Sequence, residues 1–241
     1  PPLFYKKIAD RGLCVSGQKA LDLGTGTGVL PRNMYRYGAK WVGTDISKEQ
    51  ILKADLLARR ACMEIEFLAA PAEEIDFPEN TFDVVTACQC FLYFDHEKTM
   101  PLISRILKDD GRLVILYMAW LPFEDPIARA SEELVLKYNP GWTGAKETRR
   151  PIELPGVVRD YFETEEQEVY DISVPFTKES WHGRMRACRG VGASLSEAEL
   201  VRWDGEHKRM LDKIAAEKFE ILHYAALAIL RPKRGTPAGP R

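Results

Sequence analysis

The chain has 241 residues, 45% of them hydrophobic, with 34 basic and 36 acidic side chains and a formal charge of −2. That length buries one sizeable core, so a single domain over 1–241 is predicted. The balanced charge argues against a nucleic-acid surface or a membrane-seeking helix, and no apolar run nears the roughly 20 residues of a bilayer span. The opening "PPLFYKKIAD" lacks the apolar core of a secretory leader, and the five cysteines form no paired framework. A reduced, cytoplasmic protein is the expectation. Cys88 and Cys90 have no second pair at ligand spacing, so no metal is predicted.

In chain order, residues 1–18 read as an N-terminal cap segment, and Ala20–Leu23 as a first strand followed by glycines. A helical stretch from Val29 to Tyr37 leads to a second strand, Trp41–Thr44. Ser47 then caps a helix reaching Cys62, with Gln50 completing a capping box. Ile65–Leu68, Phe82–Ala87 and Arg112–Met118 are the next strands. A helix from His96 to Leu107 carries Pro101, which predicts that regular helix begins nearer Thr99. Strands alternating with helices imply a parallel sheet covered on both faces. "LPFEDPIARASEELVLKYNPGW" predicts a helix bounded by prolines, "TGAKETRRPIELPG" a loop, "EVYDISVPF" a strand and "ESWHGRMRACRG" a short helix. Ser196 and Glu199 form a second capping box, with Leu195 and Leu200 as its staple. Leu200, Trp203, Met210, Leu211 and Ile214 place one face of that helix on the core. Phe219–Leu230 is a final strand, and 232–241 a flexible tail.

The glycines sit in "KALDLGTGTGVLPR". A glycine-rich turn between a strand and its helix lets backbone amides approach a ligand. The dinucleotide fingerprint needs its third glycine one residue later than Gly28, where Val29 stands, and no Lys-Ser/Thr pair makes a phosphate loop. Asp45, some twenty residues past the glycines, suits either a nicotinamide dinucleotide or another nucleoside.

With "LDLGTGTG", "VGTDIS", "FPENTFDVVTACQCFLYFD" and "ILKDDGRLVI" in this order, the chain resembles the class I S-adenosylmethionine-dependent methyltransferases. The motifs cover about Ala20–Met118. The chain is most similar to bacterial small-molecule methyltransferases of the type 11 kind, with Gln89, Phe91 and Phe94 after strand four. The resemblance implies a Rossmann-like α/β fold. Its seven-stranded, mostly parallel sheet has an antiparallel last strand, helices on both faces and a helical lid inserted after strand five. It implies S-adenosyl-L-methionine as cofactor. Gly24, Thr25, Gly26 and Gly28 would wrap its methionine part, supported by Asp22, and Asp45 would take both ribose hydroxyls. Ile46 would lie on the adenine, Ala72 would offer its N–H, and Cys88 a carbonyl beside the ammonium, near Gln89. Relatives carry an acidic acceptor for the adenine amino group where this chain has Pro71, leaving backbone, water or Glu73.

The reaction implied is methyl transfer to a small molecule by in-line displacement. Segment 120–160, rich in aromatic residues such as Trp120 and Tyr138, reads as a lid over the acceptor. His182, Arg186 and Arg189 recur on one helical face, where they either clamp an anionic acceptor or face water. His182 is the first candidate for a base and Tyr93 the second, while His96, His207 and His223 are expected to cap, pack or face water. Tyr5 reads as a packed side chain. "ACQCFLYF" replaces the segment that marks methylation of nucleic-acid bases or proteins, so a small-molecule partner is expected, with a monomer or homodimer. Two alternatives stay open here: a dinucleotide-dependent oxidoreductase and a non-catalytic S-adenosylmethionine-binding module.

Overall fold

The computed structural model describes residues 1–233. The predicted tail lies outside the described residues from 234 onward, and Pro232 itself closes the last strand. Along the chain, α1 (Pro2–Ala9) precedes β1 (Lys19–Leu23), α2 (Val29–Met34), β2 (Lys40–Asp45), α3 (Lys48–Arg60), β3 (Ile65–Ala69), β4 (Phe82–Cys88), α4 (His96–Ile106) and β5 (Leu107–Trp120). Then come α5 (Pro126–Tyr138), α6 (Val158–Tyr161), β6 (Phe162–Thr177), α7 (Lys178–Arg186), α8 (Glu197–Ile214) and β7 (Lys218–Pro232).

The seven strands join in the order β3–β2–β1–β4–β5–β7–β6, the Rossmann-like arrangement predicted, with the first five strands parallel. β6 and β7 run antiparallel: Lys178 N–H meets the Glu217 carbonyl, and Lys233 N–H meets that of Tyr161 at the other end. The chain goes outward from β1 through β2 to β3, then returns to place β4 on the other side of β1. Such a reversal opens a crevice at the strands' C-terminal ends. Asp22 pairs in register with Gly43 of β2 and Thr86 of β4, so polar groups from adjacent strands meet there.

Two compact units divide the described residues. The first contains 2–117, 151–168 and 226–233, the second Pro1, 118–150 and 169–225. The predicted lid segment is therefore shared: 120–150 falls in the second unit and 151–160 in the first. β1, β4 and α4 bury Leu21, Leu23, Phe82, Val85, Met100 and Ile103 in the first unit's core. α1 is tied to β6 by Arg11, which meets Glu166 and, at 2.8 Å, Glu168. The second unit closes on Trp181, Met185, Trp203, Leu211 and Ile221, with Leu195 and Leu200 each packed against this cluster.

Several local expectations shift. Helix α4 begins at His96, ahead of Pro101: the proline sits in the sixth helical position and sacrifices a single backbone bond, while the first turn is secured by the Thr99 hydroxyl donating to the Asp95 carbonyl (2.9 Å). Ser47 accepts from Gln50 N–H at 3.2 Å, yet its own N–H goes to Asp45 (2.9 Å), the bond a capping box would have reserved for Gln50. At α8 the predicted box is complete, Glu199 accepting from Ser196 N–H at 3.0 Å. Ile214, expected on the core face, is exposed at the end of α8, and His207 occupies an interior position instead. β5 begins at Leu107, where helix and turn were predicted, with a bulge opposite Phe82 and Val84. β6 likewise starts earlier, at Phe162, preceded by the unpredicted turn of α6.

Candidate functional site

The first unit gathers its polar residues at the C-terminal ends of β1, β2 and β4. Asp22 is buried, accepting from Thr86 Oγ1 through Oδ1 (2.7 Å) and from Thr25 Oγ1 through Oδ2 (2.7 Å). Burial lifts its carboxyl to about 7; the two hydroxyls pull the other way, and nearby Asp45 adds to the rise. A carboxyl poised at that value changes charge when a cation arrives beside it.

The loop after β1 holds Gly24, Gly26 and Gly28 at φ 60°, 56° and 72°. A Cβ on Gly24 would come within 2.8 Å of Cys90 Cβ and Sγ, so only glycine fits between the loop and the segment that follows β4. A Cβ on Gly26 would meet nothing within 4 Å, so this glycine serves the left-handed turn and leaves its outer side open. Asp45 bridges loop and helix: Oδ2 accepts Gly26 N–H at 2.8 Å, and Oδ1 accepts Ser47 N–H at 2.9 Å. Each oxygen keeps a further lone pair. Beside it Ile46 is 75% exposed, a large apolar side chain left bare at the strand end.

On the flank, Ala72 is buried in the 3-10 turn Ala72–Glu74, after Pro71. Glu73, the alternative acceptor for an adenine amino group, accepts Asp95 N–H at 2.9 Å through Oε1 and so supports the start of α4. Burial pushes the Cys88 thiol up. Gln89 takes a left-handed conformation (φ 68°), unusual for a residue with a side chain, while its N–H bonds the Leu116 carbonyl (2.9 Å). Tyr93 is exposed on the turn Phe91–Tyr93, whereas Phe91 is buried. Tyr5, read as merely packed, lies within electrostatic reach of Cys88 and Arg32; burial is what chiefly raises its phenol. The structure thus brings Asp22, Thr25, the glycines, Asp45 and Ile46 together.

The second unit treats its predicted residues differently. Helix α7 ends at Arg186, three residues short of Arg189, so the predicted face of three cations is broken. Arg186 Nη1 meets Asp204 Oδ2 at 2.9 Å, and His182 Nε2 faces Asp204 Oδ1 at 3.2 Å, outside hydrogen-bonding geometry. The anion these two share is the protein's own carboxylate. His182, the first candidate for a base, is buried with His207 on its other side, Nδ1 to Nδ1 at 3.0 Å. Ser131 sets the proton positions. Its hydroxyl donates to the Ile127 carbonyl (2.9 Å) and accepts from Trp181 Nε1 (2.9 Å), so His207 Nε2 (3.1 Å) must donate as well. His207 Nδ1 therefore accepts, and His182 donates to it. Burial, and secondarily His182, brings His207 down to about 3; burial also lowers His182, against the pull of Asp204.

Trp120 donates to Glu132 Oε1 (2.6 Å), and Glu132 Oε2 accepts Lys146 N–H (2.9 Å); burial raises this carboxyl. Tyr138 donates to Glu206 (3.0 Å). Arg189 is exposed, its carbonyl accepting from Ser194 (2.6 Å). Sequence reasoning missed Ser131, Glu132 and Asp204, whereas His207, expected to cap, pack or face water, is packed in the interior. The signal was present for the first two, which share the buried stripe of α5 with Ala128 and Val135.

A family profile described as a methyltransferase domain matches residues 21–115, the stretch that contains this loop and both aspartates. The matched stretch supports the class I S-adenosylmethionine-dependent methyltransferase family that the motifs resemble. A demethylmenaquinone methyltransferase of Thermus thermophilus is 35% identical over 116 residues, 47% of this chain and 53% of that protein. A ubiquinone biosynthesis O-methyltransferase of a Bradyrhizobium species is 33% identical over 133 residues, 54% of this chain and 51% of that protein. The chain thus spans about half the length of these curated relatives. In fold it is similar to the YcgJ protein of Bacillus subtilis, with TM-score 0.55 and 19% identity, covering 95% of this chain and 98% of that one. No helix among the described residues is long and apolar enough to cross a membrane.

Proposed function

We propose that this chain binds S-adenosylmethionine at the ends of β1 and β2 and methylates a small-molecule acceptor. The observation that carries the reading is Asp45: a carboxylate held in place by two backbone amides, beside the open side of Gly26 and the bare Ile46. The free lone pairs suit the two hydroxyls of a ribose, and Ile46 suits the flat face of a base. The loop Gly24–Gly28 would hold the amino-acid end. Asp22 would ionise opposite an ammonium group, with the backbone carbonyl of Cys88 and the side chain of Gln89 alongside. The Ala72 N–H would serve the base edge. Since Pro71 has no acceptor and one oxygen of Glu73 already supports α4, little side-chain chemistry addresses the adenine amino group.

When bound, S-adenosylmethionine supplies a methyl group on a positively charged sulfur, already activated for transfer. The chain's own residues then have to bind, align and keep water away. Tyr93 stands exposed and within the same unit as the loop, whereas both nitrogens of His182 face protein groups.

Calorimetric titration of S-adenosylmethionine against NAD tests the binding half. Binding of the first, with none of the second, is expected, and the reverse would sink the proposal. Turnover of methyl-labelled cofactor over a panel of phenols, carboxylic acids and amines tests the second half. Cofactor binding without transfer to any member would mark a binding module in place of an enzyme.

A further inference from the structure

Helices α5 and α8, both in the second unit, form the walls of an open groove of about 500 Å³. Its floor is apolar. Leu134 of α5 and Met210 of α8 are only partly buried against the core, and Ile214 lies 48% exposed at the end of α8. The ion pair of Lys137 with Glu206 (2.7 Å) links the two helices, and Tyr138 donates to the same carboxylate (3.0 Å). Three further charged side chains line the groove: Glu133 on α5, and Arg209 and Lys213 on α8. Among the described residues none of the three enters a hydrogen bond or an ion pair. Arg209 and Lys213 stand four residues apart on one helical face, where like charges repel. Glu206, the acid within electrostatic reach of Arg209, is already taken by Lys137 and Tyr138.

The walls thus carry unmatched charge of opposite sign on either side of a bare apolar strip, acid on α5 and base on α8. Such a surface is complementary to itself. When two identical copies meet face to face, the two-fold axis lies in the plane of contact. An axis running along the groove sets α5 of each copy against α8 of the other, so Glu133 comes opposite the wall that bears Arg209 and Lys213, twice per pair. An axis across the groove would set α5 against α5 and Glu133 against its own copy. The charges select the first arrangement. A uniformly acidic or basic partner would be drawn to one wall and repelled by the other.

We infer that the groove between α5 and α8 is a homodimer interface, covered by a second copy of this chain about a two-fold axis parallel to the groove. The strip of Leu134, Met210 and Ile214 supplies the apolar burial, and the unlike walls fix the orientation. Ile214, bare in the single chain, is then covered. The inference goes beyond the methyl-transfer reading and does not depend on it.

Sedimentation equilibrium of the full chain at micromolar concentrations and low salt tests it, with twice the mass of one chain expected. Glu133→Lys should weaken the dimer roughly tenfold, because the two-fold applies each change twice, and Arg209→Glu with Lys213→Glu should do the same. All three changes together exchange the walls and should restore association to within about threefold of the wild type. Hydrogen exchange of the wild-type chain needs no variant: protection of 130–137 and 206–214 should rise with protein concentration. The inference is overturned by the mass of a single chain at every concentration or by a dimer indifferent to either charge reversal. It is equally overturned by a folded triple variant that stays apart, or by protection that ignores concentration. A monomer in which decanoate or oligoglutamate protects 206–214 would give the groove to an amphiphile or to an acidic peptide, and likewise overturn it.

Discussion

Replacing Asp22 with Asn removes an ionisation that the interior resists. Burial takes this carboxyl from an ordinary 3.8 to about 7, against the opposing pull of Thr86 and Thr25. Between those values the folded chain holds a proton that the unfolded chain has released. Stability from this group is therefore greatest at the acid end and falls as pH rises towards 7. At about 1.36 kcal/mol per pH unit, the whole span is worth about 4 kcal/mol at most. Asn cannot ionise, and its amide still meets both threonine hydroxyls once one of them turns to accept. The unfolding free energy of Asp22→Asn minus that of the wild type should thus grow by up to about 4 kcal/mol between about pH 4 and 7.5, then level off. Urea unfolding at intervals across that range measures it. A difference that stays constant, or shrinks as pH rises, would refute the reasoning.

Three further outcomes are expected. S-adenosylmethionine binding at about pH 6 should release most of one proton, about 0.9 at full ionisation of Asp22, read from calorimetry in buffers of different ionisation heat. Asp45→Asn should weaken S-adenosylhomocysteine roughly ten- to hundredfold, since charge-assisted hydrogen bonds are worth about 1.5–3 kcal/mol; an unchanged dissociation constant would move the ribose elsewhere. Ser131→Ala strips the shared partner from Trp181 and His207 and should cost about 3 kcal/mol in urea unfolding, while the charged pair of Arg186 and Asp204 survives.

Much of the first unit was legible because its signals are local. The end of β1, the glycine loop and Asp45 depend on neighbours a few residues away, as does the Ser196 cap in the second unit, and each lies where the residues indicated. Pro101 misled because a proline's cost was weighed without the helix's gain: α4 buries Met100 and Ile103 around it. The second unit was harder to read. His182, Arg186 and Arg189 share a periodicity, but Asp204 meets the first two from α8, eighteen residues or more along the chain, and spacing within one helix carries no trace of such a partner. The proton order through Ser131, His207 and His182 likewise depends on three helices meeting, α5, α7 and α8. His223 was set among capping, packed or surface histidines; only its short bond to Ile221 shows which nitrogen keeps a lone pair.

The twin amide grip on Asp45 settles when the entropy of ordering is spent. Its carboxylate plane is locked during folding, so a nucleoside bound there as proposed would meet a rigid template that cannot swivel towards a poorer match. Sugars lacking one vicinal hydroxyl, or bearing it on the opposite ring face, would find no compensating rotation. Discrimination among nucleoside analogues would accordingly be steeper at the sugar than at the base.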